Sequence, residues 1–271
     1  MTINNNPSTY NNISNSSVSN ANALERIATG LLINKASDNA SGLAIADQLR
    51  TEGSTLSQTI DNANSGIAMA NIAQGGMREQ QNILSEIKSL TIQAQNGTTS
   101  AEGRDAIAKQ INKYIDQYEN IAEQTSYNGT QLLKSSGNPA QDDLSISGEE
   151  EIVNLQVADT TSISDDLRTL MTNFTTDPNS RSALLGKIDE STSQLSAMES
   201  DFGSASNALQ SSVRNYMTAE TNIANAESTI RDLNFTNGIA NFNKTNLLSQ
   251  AGYLVQAQSN AVQSRVLGLL S

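Results

Sequence analysis

Apolar residues return every seven positions along much of the chain. From Ile188 one series runs Leu195, Phe202, Leu209, Tyr216, Ile223 and Ile230. A second runs Leu184, Ser191, Met198, Ala205, Ser212, Ala219, Ala226 and Leu233. Each member of the second lies four before or three after a member of the first. That is the a/d spacing of a coiled-coil seam, kept up for about seven heptads. One stripe is bulky and the other mostly small, so a partner helix can approach closely. At roughly 1.5 Å of rise per residue, such a helix is about 75 Å long.

The N-terminal half carries a matching pattern. Leu49, Leu56, Ala63, Ala70, Met77 and Leu84 recur at seven, with Gly53, Ile60 and Ile67 at the intermediate positions. The seam then drifts to Ile83, Ile87, Leu90 and Ala94, as an imperfect heptad on a nearly straight helix does. Asn96-Gly97 is a stop. Ser100 then caps a second predicted helix, from Ala101 to about Thr125, with Ile107, Ile111, Tyr114, Ile115, Tyr118 and Ile121 on its apolar face. Tyr127-Asn128-Gly129 ends it.

The middle of the chain has a different period. Leu144–Ser147 and Ile152–Val157 partly alternate apolar and polar residues around Gly148 and the acidic run Glu149–Glu151, which predicts a β-hairpin at about 142–160 with a charged turn. Leu167–Phe174 reads as a short helix. The prolines, Pro7, Pro139 and Pro178, leave two long intervals free of helix breakers, with this region between them.

Both ends are weaker amphipathic segments. Val18, Ala21, Leu24, Ala28 and Leu31 share one helical face, as do Leu247, Ala251, Leu254 or Val255, Gln258, Ala261 or Val262, and Val266. The remaining positions are rich in Asn, Gln and Ser. In isolation such segments are marginal helices. Their stripes need a partner.

Composition then narrows the chemistry. The 271 residues contain no cysteine, histidine or tryptophan. That excludes disulfides, thiolate metal sites, Ser-His-Asp triads and imidazole general bases. A net charge of -12 argues against nucleic-acid binding. No stretch is apolar enough to cross a bilayer, and the N-terminus lacks the basic and apolar regions of a cleavable signal. Asp142-Asp143, Glu149–Glu151 and Asp165-Asp166 read as solvated loop charges rather than metal ligands. The glycines form no phosphate-binding motif, and Gly75-Gly76 reads as a packing or flexibility feature inside a helix. No catalytic, cofactor or metal site is expected. The residues point to a structural or assembly protein. Its expected fold is mainly α, with long antiparallel coiled-coil-like helices pairing the two halves and a small central β-hairpin.

The run from Ala23 to Ala46, ALERIATGLLINKASDNASGLAIA, resembles the N-terminal region of bacterial flagellins. Asn62–Ile67 and Thr125–Gly129 are similar to the same family. Leu247–Gly252, Gln258–Gln263 and Leu267–Leu270 resemble its C-terminus. The resemblance implies a short flagellin, without a large variable outer domain, that polymerises into the extracellular flagellar filament. By position, it implies an inner layer of residues 1–33 and 238–271, spokes at 34–41 and 233–237, and an outer helical domain at 42–232. Inter-subunit packing then falls to Leu24, Leu31, Leu247, Leu254, Val262, Val266 and Leu269. The helical seam falls to Leu49, Leu56, Ile60, Ile67, Leu84, Ile188, Leu195, Phe202, Leu209, Tyr216, Ile223 and Ile230.

The implied partners are further copies of the chain, the flagellar type III export apparatus, a flagellin chaperone at 241–271, and the filament cap and hook-junction proteins. Nucleic acid and membrane insertion are not among them. Family analogy also offers Ser145, Ser147, Thr160 and Ser162 for O-glycosylation. Innate immune receptors recognise many flagellins through an arginine-bearing face of the helix that here spans Ile83–Gln95. Glu86 stands at the arginine's position, near Leu90, so weak recognition is expected. A secreted flagellin-like effector or a minor filament subunit is the alternative reading.

Overall fold

A computed structural model describes residues 7–138, 142–147 and 151–270. The elements among them are α1 (Pro7–Thr29), α2 (Ala36–Gln95), α3 (Ala101–Gln124), β1 (Ser126–Tyr127), β2 (Thr130–Gln131), β3 (Ile146–Ser147), β4 (Glu151–Val153), α4 (Thr161–Met171), α5 (Pro178–Arg231) and α6 (Phe235–Leu270). The fold is mainly α, with two small antiparallel strand pairs. Two compact units form. One holds the residues up to Gly53 and those from Thr221 onward; the other holds Ser54–Glu220.

In the central unit, the heptad positions become the core. Ala63, Ala70, Met77 and Leu84 of α2 are buried, as are Leu184, Ile188, Leu195, Phe202 and Leu209 of α5. Leu56, Ile60, Ile67 and Tyr216 are half-buried. The bulky-with-small pattern explains the close approach. A Cβ on Gly66 would lie 3.0 Å from Leu209 Cδ1 and 2.7 Å from Ile146 Cγ1. Polar pairs then fix the register. Arg78 pairs with Glu199 at 2.7 Å, Lys88 with Asp189 at 2.6 Å, and Gln95 donates to Ser182 at 2.9 Å. Each step forward along α2 matches an equal step back along α5, so the helices run antiparallel. Exposed ion pairs contribute little stability. Their role here is alignment.

The predicted cap is present. Ser100 Oγ accepts from Gly103 N at 3.0 Å at the start of α3, and Ile107, Ile111, Ile115 and Tyr118 turn its apolar face inward. Proline stands at the first position of α5, where its missing N–H costs nothing. Asp177 accepts from Asn179 N there at 2.8 Å. Gly76 is a packing glycine: its Cβ would meet Leu133 Cδ1 and Thr125 Oγ1 at 2.7 Å, whereas Gly75 faces open space.

Three elements depart from the sequence reading. Tyr127-Asn128-Gly129 does more than end α3. It forms the tight turn of a hairpin, with Ser126 opposite Gln131 and Tyr127 opposite Thr130. Asn128 and Gly129 both take positive φ, 50° and 83°, as a two-residue hairpin turn requires. The central hairpin has shorter strands than expected, because register shifts between Ile146↔Val153 and Ser147↔Glu151. An isolated bridge, Asp143↔Gln156, continues it. Its expected acidic turn at Glu149-Glu150 lies outside the described residues. The short helix begins at Thr161, six residues before its expected start, because Asp159 Oδ1 accepts from both Thr161 N and Thr161 Oγ1, at 3.0 and 2.7 Å. Its buried apolar residues, Ile163 and Leu167, lie one turn apart.

In the other unit, α1 and α6 lie against each other. Thr245 Oγ1 donates to Asn20 Oδ1 at 2.8 Å across that contact. The ends predicted to be marginal alone are thus helical with each other as partner. Gly30, at φ 74°, closes α1 in the left-handed conformation that disfavours a side chain. A short backbone clasp follows: Leu32 N donates to Arg231 O at 2.6 Å and Leu233 N to Gly30 O at 2.9 Å.

Candidate assembly surface

One side of α6 meets α1, and exposed apolar residues run along much of the rest. Thr245, bonded to Asn20, and the buried Ser249 are four residues apart on one side. Leu247, Leu254, Val255, Val262 and Val266 follow helical spacing on another, and all are exposed. Leu247 keeps 66% and Leu254 72% of its surface in solvent. On α1, Val18 and Leu24 are exposed as well, and Leu31, just beyond its end, is half-buried. The side chain of Leu269 lies outside the described residues. Burying one such leucine is worth about 1.5–3 kcal/mol. A continuous apolar stripe of this kind marks a protein-binding face.

The turn between α1 and α2 is held by one carboxylate. Asp38 Oδ2 accepts from Asn34 N and Lys35 N, each at 3.1 Å. Asp38 Oδ1 accepts from Arg26 Nη2, also at 3.1 Å. The amide of Asn34 first, then the Arg26 guanidinium, hold the Asp38 carboxyl below its ordinary value. Beside it, the Glu25 carboxylate at 2.7 Å raises the Lys35 ammonium. The lowered pKa favours the folded clasp above the unfolded aspartate value of 3.8, and that advantage is lost as pH falls through the lower folded value. The Asn34 and Lys35 amide resonances should therefore titrate together with a midpoint below 3.8. An Asp38→Asn chain should show no such step. A midpoint at or above the ordinary value would disprove the clasp.

The other seam residues of this unit, Leu49, Ile223 and Ile230, are half-buried. Glu86 is exposed and Leu90 half-buried on α2. One expected glycosylation position is corrected. Thr160 is fully buried, its hydroxyl donating to Leu133 O at 3.0 Å and accepting from the buried Gln80 Nε2 at 2.9 Å. A sugar cannot be accommodated there. Ser162 is exposed, Ser145 is half-buried, and the side chain of Ser147 lies outside the described residues. Sequence reasoning missed both the Asp38 clasp and the Gln80–Thr160 pair. A clue to the first was present: an acidic side chain at the third position of a helix can reach back to the N–H of the residue before the helix, here Lys35.

Among the described residues, no group of three carboxylates could hold a metal ion. Among the described residues, no helix is long and apolar enough to cross a membrane.

Comparison with known proteins covers most of the chain. Residues 2–138 match the bacterial flagellin N-terminal helical region, and residues 185–270 the bacterial flagellin C-terminal helical region. A flagellin of Halalkalibacterium halodurans is 30% identical, over 92% of this chain and 90% of its own length. A flagellin of Bacillus subtilis is 29% identical over the whole of both chains. The crystal structure of Bacillus cereus flagellin matches with a TM-score of 0.51 at 25% identity, covering 62% of this chain and 94% of that one.

Proposed function

The chain belongs to the bacterial flagellin family, and from that premise we propose how its surfaces serve the filament. It is a structural subunit that polymerises into the extracellular flagellar filament. The exposed stripe of α6, with Val18 and Leu24 of α1, is the surface that neighbouring copies cover. The observation that carries this reading is the separation of faces on α6: one side satisfied by α1 and the other apolar and bare. Before assembly a chaperone shields residues 241–271, since an exposed stripe would otherwise drive premature association. The subunit travels unfolded through the flagellar type III apparatus and is placed under the filament cap, beyond the hook-junction proteins. Having no cysteine, the chain cannot be crosslinked by disulfides on the way.

Purified protein, nucleated with seeds or salt, should form filaments visible by electron microscopy. Deletion of its gene should remove or shorten the filament and reduce swimming. Normal filaments after deletion would identify a minor subunit or a secreted effector instead.

The exposed Glu86 places a negative charge on the α2 face that, in many flagellins, presents arginine to innate receptors. Wild-type protein should activate such a receptor weakly, and Glu86→Arg should raise the response. Strong activation by the wild type would overturn this assignment.

A further inference from the structure

The chain contains three Asn-Gly pairs, Asn96-Gly97, Asn128-Gly129 and Asn237-Gly238. This dipeptide is the one most open to intramolecular attack by a backbone nitrogen on the asparagine side chain, because glycine has no side chain to obstruct it. The three pairs sit in different surroundings. Gly238 N donates to Asn234 O at 2.8 Å within the first turn of α6, so its nitrogen is held by the helix. Asn128 is fixed at φ 50° in the tight turn between β1 and β2.

Asn96 differs on each count. It follows the last residue of α2, and both it and Gly97 are exposed. Its Oδ1 accepts two hydrogen bonds from the same residue, Thr98 N at 3.1 Å and Thr98 Oγ1 at 3.0 Å. The first closes an Asx turn. Closing that ring turns the Asn96 side chain toward the Gly97–Thr98 backbone. Gly97 N makes no backbone hydrogen bond among the described residues. Both donors point at the oxygen on which charge develops when Cγ is attacked. The pair therefore combines a nucleophile without a backbone hydrogen bond and a prepared oxyanion site.

We propose that Asn96 is a site of spontaneous self-modification in the folded protein, converting to a mixture of aspartate and isoaspartate through a succinimide. Gly97 N gives its proton to a solvent base and forms a bond to Asn96 Cγ. The negative charge settles on Oδ1 under the two Thr98 donors. The Cγ–Nδ2 bond then breaks, and Nδ2 leaves with a solvent proton as ammonia. Water opens the five-membered ring. Cleavage at Cγ gives aspartate; cleavage at the former backbone carbonyl gives isoaspartate. Only water is consumed, and nothing is oxidised or reduced. Each converted copy gains a negative charge at the C-terminal end of α2, where the Arg104 guanidinium already donates to Ala94 O at 3.1 Å. Older subunits thus differ in charge and backbone length from new ones at this loop.

The test is timed incubation of the folded full chain at mildly alkaline pH, followed by tryptic peptide mass spectrometry with separation of the isoaspartyl form. The peptide Ser89–Arg104 should gain the mass increment of amide-to-acid conversion several-fold faster than the peptides carrying Asn128 or Asn237. Thr98→Val removes the hydroxyl donor and should slow conversion several-fold. Gly97→Ala should nearly stop it without disturbing the fold, since a Cβ there meets nothing within 4 Å. In denaturant the three rates should converge. Conversion of Asn128 or Asn237 ahead of Asn96 in the folded chain would overturn the proposal, as would a Thr98→Val rate equal to wild type.

Discussion

Replacing Leu209 by aspartate should unfold the central helical unit at markedly lower temperature. Leu209 is 1% exposed. It lies against the positions of Gly66 and Ile146, where no space remains for a hydrated charge. The substitution removes about 1.5–3 kcal/mol of leucine burial and adds the cost of a buried carboxylate, which several further kcal/mol or a raised pKa must absorb. A loss of about 4–5 kcal/mol is near the top of the range for single substitutions. In a domain of this size each kcal/mol moves Tm by roughly 2–4 °C, so a drop of roughly 10 °C or more is expected. Ala208→Asp places the same charge on the exposed neighbour and should change stability by no more than about 0.5 kcal/mol. Calorimetry of both chains decides the matter. A Leu209→Asp transition at the wild-type temperature would remove Leu209 from the core.

The heptad steps Ile188, Leu195, Phe202 and Leu209 were legible because a period of seven needs only the chain itself. All four are buried. The same period cannot say which residue of α2 faces which residue of α5, since a heptad names a face and not a register. That alignment appears only in pairs such as Arg78–Glu199 and Lys88–Asp189, more than a hundred residues apart in sequence. The β1–β2 hairpin was hidden for another reason. Strands of two residues are too short to show alternation, although Asn128-Gly129 carried the turn signal. Thr160 looked like a loop hydroxyl because nothing local reveals Gln80, eighty positions earlier. The assembly stripe was readable as a pattern from Leu247 to Val266. Which of its sides α1 covers depends on contacts such as Asn20–Thr245, which have no period at all.

That division of faces leads to the prediction with the largest functional effect. Leu247→Asp combined with Leu254→Asp should leave the monomer's central unit intact and abolish filament growth. Both side chains are exposed in the single chain, at 66% and 72%, so the monomer loses no packing by the change. In the polymer each leucine contributes about 1.5–3 kcal/mol when a neighbour covers it. Losing both therefore weakens subunit addition by about 3–6 kcal/mol before the charges are counted. At 1.4 kcal/mol per factor of ten, the critical concentration should rise by roughly a hundredfold to ten-thousandfold. The carboxylates add to this, because an aspartate enclosed between subunits of net charge -12 has an unfavourable electrostatic setting as well as a desolvation cost. Leu247→Ala with Leu254→Ala separates the terms: it removes the burial without the charge and should assemble only at raised concentration. Seeded growth followed by light scattering and electron microscopy gives the critical concentration. Calorimetry of the central unit shows whether folding is spared. Filaments growing from the double aspartate chain at the wild-type concentration would mean that neighbouring copies leave this side of α6 uncovered, and the inter-subunit surface would then have to be sought on another face.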